Sequence, residues 1–236
     1  MPFRPMNDDT WPRIAASGSW FKAAPAPLQQ ALLGLAVARR HADGACLFRR
    51  GDPPDGLYGV AEGAVRITGL AADGREALLA IAEPSQWIGE IGLLDGLPRT
   101  HDAHAQGAAV TLHVPQAALL AVLQAQPALW QWIGLLATSK LRAAFQALED
   151  MALLPAENRI AARLLAMSQG YGEWTHQTRR VVRLSQEQLA SMLALSRQTV
   201  NQVLQGLAHQ GIVRPGRGTV EILDAARLRV LAGRVG

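Results

Sequence analysis

The chain has 236 residues, of which 49% are hydrophobic and 18% charged, and its formal net charge is +4 at pH 7. These values exclude a disordered or collagen-like chain, and the length suits one large or two modest domains. A single cysteine, Cys46, excludes a disulfide framework, a cysteine-ligated zinc site and an iron–sulfur cluster that needs several thiolates. We expect Cys46 to be a small buried hydrophobe.

The positive charge is concentrated in the last third of the chain. Residues 1–150 contain 12 basic and 14 acidic side chains, a net charge of −2. Residues 151–236 contain 11 arginines, no lysine and 5 acidic side chains, a net charge of +6. This asymmetry indicates a polyanionic partner for the basic part, and a solvated basic face is the open alternative.

No targeting or membrane signal is recognisable. The opening residues, MPFRPMNDDTWPR, are acidic and interrupted by proline, which is unlike a secretory signal. No stretch approaches the roughly 18 uninterrupted apolar residues that a membrane span requires. We therefore expect a cytoplasmic protein with no membrane partner.

The first half of the chain is predicted to form an arm and a β-rich domain. Residues 1–22, broken by three prolines, are predicted to be an irregular arm, and residues 27–39 a short helix. Between residues 45 and 114, short apolar runs alternate with turns rich in glycine and aspartate. This regular spacing predicts an antiparallel sandwich or barrel rather than alternating strands and helices.

A long helix is predicted from Pro127 to about Leu154, after a short helix over residues 115–125 and before a break at Pro155. Small and apolar residues recur along it at alternating spacings of four and three, a heptad pattern that begins at Trp130. We predict this pattern to be a dimerisation seam because small residues let two helices approach closely; packing on the chain's own core is the alternative. The predicted dimerisation residues are Gly134, Ala137, Leu141, Ala144, Leu148 and Met151.

Two capped helices separated by a short break are predicted in the basic part. Ser185 and Gln188 form a capping-box pattern that opens the first helix, and Ser196 caps a second helix that ends at Gly211. Polar side chains crowd the start of the second helix, the end that enters the major groove in a helix-turn-helix. A plain helical hairpin does not need them, so we predict DNA binding. The predicted DNA-binding residues of this segment are Ser185, Gln186, Ser196, Arg197, Gln198, Thr199, Asn201 and Gln202.

A β-hairpin is predicted after these helices. The sequence IVRPGRGTVEIL has two short β-prone runs around a Pro-Gly-Arg-Gly turn. This hairpin would be a wing that carries Arg214 and Arg217 to DNA phosphates, and a structural hairpin with solvated arginines is the alternative. At base edges, arginine pairs with guanine and glutamine with adenine, so Arg197 is predicted to read guanine, with Gln198 and Gln202 as secondary readers.

A glycine-rich stretch from Gly89 to Thr100 is the second informative motif, which we name the cassette. It combines glycines that permit close backbone approach, the start of a short helix, one carboxylate, and an arginine beside a hydroxyl. Such a set can hold a phosphate and sugar hydroxyls, although an Arg99–Glu90 ion pair inside a barrel would have the same sequence. The predicted effector-binding residues of the cassette are Gly89, Glu90, Ile91, Gly92, Arg99 and Thr100.

The pattern Gly-Glu-x-x-Leu-Leu-Asp-Gly-x-Pro-Arg-Thr, after a stretch such as LYGVAEGAV, resembles the phosphate-binding cassette of cyclic-nucleotide-binding β-rolls. The cassette is followed by the long helix and by the predicted helix-turn-helix, whose second helix begins with Ser-Arg-Gln-Thr-Val. In this order, residues 25–225 resemble the Crp/Fnr transcription regulators. The resemblance implies an α+β chain with a cyclic-nucleotide-binding-type β-roll (jelly roll), a long dimerisation helix and a C-terminal winged helix-turn-helix. The expected domains are an arm (1–22), an effector-binding β-roll with flanking helices (23–126), a dimerisation helix and hinge (127–154) and a DNA-binding domain (155–236).

The resemblance further implies a homodimer that binds double-stranded DNA and works with RNA polymerase. It places Glu90 on the ribose hydroxyl and Arg99 with Thr100 on the cyclic phosphate of cyclic AMP, cyclic GMP or another small effector. At the two positions where cyclic-AMP receptor proteins contact adenine through hydroxyls, this chain has Ala144 and Phe145. Phe145 is expected to fill an empty pocket, and stacking on a base is the alternative.

Two further sequence differences and two competing functions complete the predictions. Gln198 and Gln202 replace a glutamate and an arginine of the best-known members, so their operator sequence is not expected here. No catalytic arrangement and no metal-ligand spacing is recognisable, so we expect no enzyme. The competing functions are an enzyme with a cupin-like metal site and a constitutive DNA binder whose β-roll only dimerises.

Overall fold

The structure is a computed structural model that describes residues 10–71, 74, 76–170 and 180–234. It consists of two compact units, Met1–Ser139 and Lys140–Gly236, which are described separately. In the part of the chain that the structure describes, no single helix is long and apolar enough to cross a membrane. Two helices joined at a bend, Gln116–Ala125 and Pro127–Leu153, reach the length and apolar composition of a membrane span only when they are taken together.

The first unit places helices before and after an antiparallel sheet. Its elements in chain order are α1 (Thr10–Ala15), α2 (Ser19–Ala23), α3 (Ala26–Leu35), β1 (Val37–His41), β2 (Cys46–Phe48), β3 (Gly56–Leu70), β4 (Glu76–Ala82), β5 (Trp87–Ile88), α4 (Glu90–Asp95), β6 (Asp102–Pro115), α5 (Gln116–Ala125), a 3-10 turn (Pro127–Leu129) and the start of α6 (Trp130–Leu153).

The sheet has the strand order β1-β6-β3-β4, with β2 also paired to β6 and β5 to β3. Every pairing is antiparallel, which confirms the predicted architecture. The long strands β3 and β6 form its centre, with Tyr58 opposite His113 and Gly56 opposite Pro115. Alternate residues of a strand point to opposite faces. One face packs on the helices through Leu57, Leu112 and Val114, and the other buries a smaller cluster around Tyr58.

Two local predictions for this unit are wrong. The first helix ends at Leu35 rather than Arg39, because residues from Val37 onward pair with β6 as a strand. This pairing between distant segments outweighs the local helical spacing. Cys46 is exposed rather than buried. It begins β2, in which only Phe48, at the other end of the strand, is buried.

The prediction of an irregular arm over residues 1–22 is also wrong for the part that the structure describes, since α1 and α2 are helical. Trp11 and Trp20 are buried in the main core, where their large apolar area offsets the proline content. Pro12 lies in the first turn of α1, where proline is tolerated. The Trp87 indole on β5 donates to the Ala15 carbonyl oxygen at 3.1 Å. Residues 10–24 therefore pack on the core of the first unit, whereas residues 1–9 lie outside the described residues.

The second unit contains the end of α6 and a small helical domain with a three-stranded sheet. Its further elements are α7 (Ala156–Ser168), β7 (Val181–Val182), α8 (Gln186–Leu193), α9 (Arg197–His209), β8 (Val213–Gly216), β9 (Thr219–Ile222) and α10 (Ala225–Leu231). The sheet order is β7-β9-β8. The compact units divide between Ser139 and Lys140. The domain limits expected at residues 126 and 154 remain a prediction.

Candidate functional site

The cassette folds as a tight turn leading into α4. Gly89 precedes this helix with φ of 103°, a left-handed conformation that glycine adopts without strain. A Cβ atom there would lie 2.6 Å from the Gly56 carbonyl oxygen and 2.8 Å from Nη1 of Arg99. At Gly92, a Cβ atom would lie 2.7 Å from the Cβ of Pro54. Both glycines are thus required by close packing between the cassette and the loop before β3.

Arg99 is the buried cation of this site, with 5% of the residue exposed. Its Nη1 donates to the Gly89 carbonyl oxygen at 3.1 Å, and its Nη2 donates to the Gly56 carbonyl oxygen at 2.8 Å and to Oδ1 of Asp55 at 2.6 Å. The guanidinium also lies 4.3 Å from the ring centre of Phe48, a cation–π contact. The carboxylate that pairs with Arg99 is therefore supplied by the loop before β3, a contact that the sequence motif does not show.

Asp55 is the centre of a polar network. Its Oδ2 accepts a 2.5 Å hydrogen bond from the Tyr58 hydroxyl and lies 3.4 Å from Nε2 of His113. Burial alone would raise the pKa of Asp55, but hydrogen bonds from Tyr58 and Arg99 offset it and hold that pKa below its ordinary value. The carboxylate is consequently ionised at neutral pH and compensates the Arg99 charge.

Two aromatic side chains complete this network. Burial and the adjacent Asp55 carboxylate raise the pKa of Tyr58, so its hydroxyl remains protonated and can donate. Burial, then the charge of Arg39, lowers the pKa of His113, which favours a neutral imidazole. Nδ1 of His113 and Nε of Arg99 are buried without a hydrogen-bond partner in the described residues. These atoms are polar groups that a bound molecule could satisfy.

The structure brings most of the predicted effector residues together, and Glu90 is buried at the first position of α4. Ile91 is exposed, and the Thr100 hydroxyl is 2.9 Å from Nδ1 of His101. Ala144 and Phe145 lie on the part of α6 that belongs to the second unit. Phe145 has 63% of its surface exposed in the single chain, and its expected role at an effector pocket stays a prediction.

Sequence reasoning missed Asp55, Tyr58 and His113. The available signal was modest: a carboxylate directly before a long β-prone run, and one histidine among the apolar residues AVTLHV. Asp55 contacts Arg99 across a separation of 44 residues, so only the strand register identifies the pair. Tyr58 and His113 are direct partners across β3 and β6.

The two helices of the basic part are capped as predicted. Both hydrogen bonds of the Ser185–Gln188 capping box are present, at 2.9 and 3.1 Å. The Ser196 hydroxyl accepts from the Thr199 amide at 3.0 Å. Between the helices, Ala194 adopts a left-handed conformation with φ of 51°, which ends α8 and redirects the chain. This is the helix-turn-helix that the sequence predicts.

The start of α9 presents a polar surface. Val200, Leu204 and Leu207 bury one side of this helix. The exposed predicted residues on and before it are Ser196, Arg197, Gln198, Asn201 and Gln202, and Thr199 is half-buried. Nε2 of Gln186 is 3.3 Å from Oδ1 of Asn201, so a side chain of α8 joins this surface. Arg197, Gln198 and Gln202 are therefore solvent-exposed side chains at the start of this helix.

Strands β8 and β9 form the predicted hairpin, with Arg217 in the turn between them. Arg214 is exposed and donates to Oε2 of Glu221 at 2.7 Å, so its charge is partly compensated. Arg217 is exposed and has no ion pair within the described residues. The hairpin therefore offers Arg217 as the more available cation for a phosphate.

An exposed apolar stripe follows the predicted seam on α6. Its exposed members are Leu141, Ala144, Leu148 and Met151, whereas Gly134 and Ala137 are half-buried. Among the residues that the structure describes, none covers the stripe from Leu141 onward, since Leu141, Leu148 and Met151 are all exposed. A stripe of this kind is what a second helix would cover in a dimer.

The chain combines two features: a β-roll in which the buried Arg99 contacts the turn at Gly89, and a winged helix-turn-helix. This combination defines a class of two-domain transcription regulators. Within the described residues, no three His, Cys, Asp or Glu side chains are grouped so that they could hold a metal ion.

Comparison with known proteins agrees with this class. Residues 38–126 match the cyclic nucleotide-binding domain, and residues 158–231 match the Crp-like helix-turn-helix domain. The CRP-like cAMP-activated global transcriptional regulator of Mycobacterium tuberculosis is 33% identical over 186 residues, 78% of this chain and 83% of that protein. The cyclic AMP receptor protein of Thermus thermophilus is 33% identical over 195 residues, 82% of this chain and 87% of that protein. FixK2 from Bradyrhizobium japonicum shares the fold, with a TM-score of 0.75 at 22% identity, over 85% of this chain and 99% of that one.

The chain belongs to the Crp/Fnr family of transcription regulators. This confirms the predicted family and the predicted α+β fold class, with a β-roll, a long helix and a C-terminal winged helix-turn-helix. Its relatives are transcription regulators, which are not enzymes.

Proposed function

We propose that this chain is an effector-responsive, sequence-specific DNA-binding regulator that acts as a homodimer on a two-fold operator. The observation that carries the proposal is the exposed polar surface at the start of α9, backed by a buried apolar face and fixed by the Ser196 cap. A helix with these properties can enter a major groove with its N-terminal side chains on the bases. The net charge of +6 over residues 151–236 supplies the attraction to phosphates.

Each contact on DNA has a chemical role. Arg197 would donate two hydrogen bonds to O6 and N7 of a guanine, and Gln198 and Gln202 would read neighbouring bases. Ser185, Gln186, Ser196, Thr199 and Asn201 would complete this surface. Arg217, and Arg214 after release from Glu221, would bind phosphates beside the groove.

Self-association is proposed through the apolar stripe on α6. Covering Leu141 and Leu148 by the same residues of a second copy would remove apolar area from water, and the two-fold axis repeats each contact. A symmetric dimer would present two α9 helices to two half-sites. RNA polymerase as a partner and the cytoplasm as location are proposed on family membership alone.

The effector is proposed to bind in the β-roll near the cassette. Two relatives are a cAMP-activated regulator and a cyclic AMP receptor protein, which supports a cyclic nucleotide as the ligand class. Arg99 would hold its phosphate and Glu90 its ribose hydroxyls, next to Gly89 and Gly92, where close packing excludes larger side chains. Binding would shift the population of conformations toward the one competent for DNA.

A constitutive DNA binder is the second candidate, because Arg99 is already paired with Asp55. Thermal unfolding with cyclic AMP and with cyclic GMP tests the two functions on the wild type, Arg99→Ala and Arg66→Ala. Arg66 is a matched control, since it pairs with Glu76 on β4 at the surface. A ligand at a free concentration of 100 times its Kd raises the free energy of unfolding of the protein by about 2.7 kcal/mol. For a chain of this size, the Tm then rises by roughly 5–10 °C.

We expect this rise in the wild type and in Arg66→Ala, and its loss in Arg99→Ala. No rise with either nucleotide in the wild type supports the constitutive binder. An equal rise in Arg99→Ala contradicts the cassette as the site.

A further inference from the structure

We propose that Asp55 is a specificity-determining residue of the effector site, because its carboxylate occupies the position on Arg99 that an anionic effector must take. The inference rests on the proposed function, which places an effector at Arg99. It adds that binding is an exchange of one anion for another: the effector's phosphate replaces the Asp55 carboxylate. Asp55 would thereby set how strongly charged a molecule must be to bind.

The donors of Arg99 show why the two anions exclude each other. A guanidinium has two edges with two parallel donors, Nη1 with Nη2 and Nε with Nη2. Nη2 belongs to both edges, and its two hydrogens are used by Oδ1 of Asp55 and the Gly56 carbonyl oxygen. No edge is therefore complete for a phosphate. Nε is buried without a partner in the described residues, so one edge becomes available once Nη2 is released.

Asp55 is the partner that can leave. Its side chain is 43% exposed, whereas that of Arg99 is 3% exposed, so the carboxylate lies on the solvent side of the pair. The Gly56 carbonyl oxygen is backbone within the central sheet and cannot turn away as easily. Arg99 stays in place through its other contacts, with the Gly89 carbonyl oxygen and the Phe48 ring.

The backbone around Arg99 is equally fixed. Its amide donates to the Asp52 carbonyl oxygen at 2.8 Å, and its carbonyl oxygen accepts from the Gly51 amide at 2.8 Å. Rotation of the Asp55 side chain therefore exposes a cation that is already positioned. The Tyr58 hydroxyl, which now donates to Asp55, would follow the carboxylate or donate to the incoming anion, whereas His113 would keep the 3.1 Å contact of its Nε2 with the Asp55 backbone carbonyl oxygen.

Exchange lowers the apparent affinity for an effector. When only a fraction of molecules has a free Arg99 edge, the apparent Kd is the intrinsic Kd divided by that fraction. A neutral acceptor gains less from Arg99 than an anion does, so it competes poorly with the carboxylate. The site therefore selects for a compact anionic group such as a phosphodiester, and removal of the Asp55 charge tightens its binding.

Calorimetric titration with cyclic AMP and with cyclic GMP tests the inference on the full chain. Asp55→Asn removes the charge and keeps the shape, and Glu76→Gln is the matched control because it frees Arg66, a surface arginine of the same unit. We expect Asp55→Asn to bind at least one nucleotide about tenfold or more tightly than the wild type, since a charge-assisted hydrogen bond no longer competes. Glu76→Gln should change Kd by less than about twofold, as expected for an exposed pair.

Binding to Asp55→Asn that is equal to or weaker than binding to the wild type overturns the inference, while nucleotide binding by the wild type leaves the proposed function intact. Binding to neither protein overturns both the inference and the nucleotide effector. If Asp55→Asn is unfolded alone, refolding on addition of nucleotide supports the exchange and continued unfolding opposes it. A crystal structure of the wild type with bound nucleotide gives a second readout: Asp55 should lie more than about 4 Å from Nη2, and a retained Asp55–Arg99 pair overturns the inference.

Discussion

Leu148→Ala is expected to weaken the dimer strongly without harming the folded monomer. Leu148 is 61% exposed on α6 and lies on the predicted seam with Leu141 and Met151. Alanine is the better helix former, so α6 itself should not be destabilised. The effect therefore reports on what covers the stripe rather than on the helix.

The magnitude follows from the exposed area. Leucine to alanine removes about three carbon groups, each worth about 0.8 kcal/mol when fully buried. Because 61% of Leu148 is exposed in the single chain and would be buried in the dimer, the loss per copy is about 1.5 kcal/mol. In a two-fold dimer the loss occurs twice, so we expect about 3 kcal/mol, or a dimer Kd roughly 100-fold higher.

Sedimentation equilibrium over a range of protein concentrations measures this Kd. Leu153→Ala is the matched control: Leu153 lies on the same helix and is 72% exposed, but it is outside the heptad positions. Its Kd should change by less than about threefold. An unchanged Kd for Leu148→Ala, or an equal change in both variants, would refute the seam.

Three further outcomes are expected. Arg197→Ala should lose about 1–3 kcal/mol of the binding free energy that distinguishes guanine from other bases at one position of the operator. Competition between the selected operator and versions substituted at one guanine measures this loss. Equal weakening on all sequences would contradict base reading. Arg217→Ala should reduce the slope of log K against log salt by about 1 while the preferred sequence stays the same, whereas Arg66→Ala should leave the slope unchanged. Trp20→Phe should lower the free energy of unfolding of the first unit by about 0.5–1.5 kcal/mol, because it removes the 2.7 Å hydrogen bond from Trp20 to the Trp132 carbonyl oxygen. An unchanged Tm would show that this hydrogen bond does not stabilise the unit.

Features set by local chemistry were predictable from the sequence. The caps at Ser185 and Ser196 each depend on residues three positions away, so the pattern alone located α8 and α9. The cassette was recognisable because its glycines and its arginine are close in the chain. The hairpin followed from the Pro-Gly-Arg-Gly turn between two β-prone runs.

Features set by distant contacts were not predictable in this way. The prolines near the N-terminus suggested an irregular arm, but burial of Trp11 and Trp20 against the sheet gives helices. The sequence motif identified Arg99 and offered Glu90 as a possible counter-charge. The structure supplies Asp55 instead, because the register of β3 and β6 brings the start of β3 to the cassette.

Selection of duplex DNA from a random library by the intact chain, with and without cyclic AMP or cyclic GMP, is the most direct test of the proposed regulator. We predict enrichment of a two-fold sequence whose half-sites are centred about 34 Å apart, each with a guanine whose loss is tolerated only by Arg197→Ala. The affinity for this sequence should change when the effector is added. Enrichment of a single asymmetric site, or of no sequence at all, would contradict a dimer that reads DNA through α9.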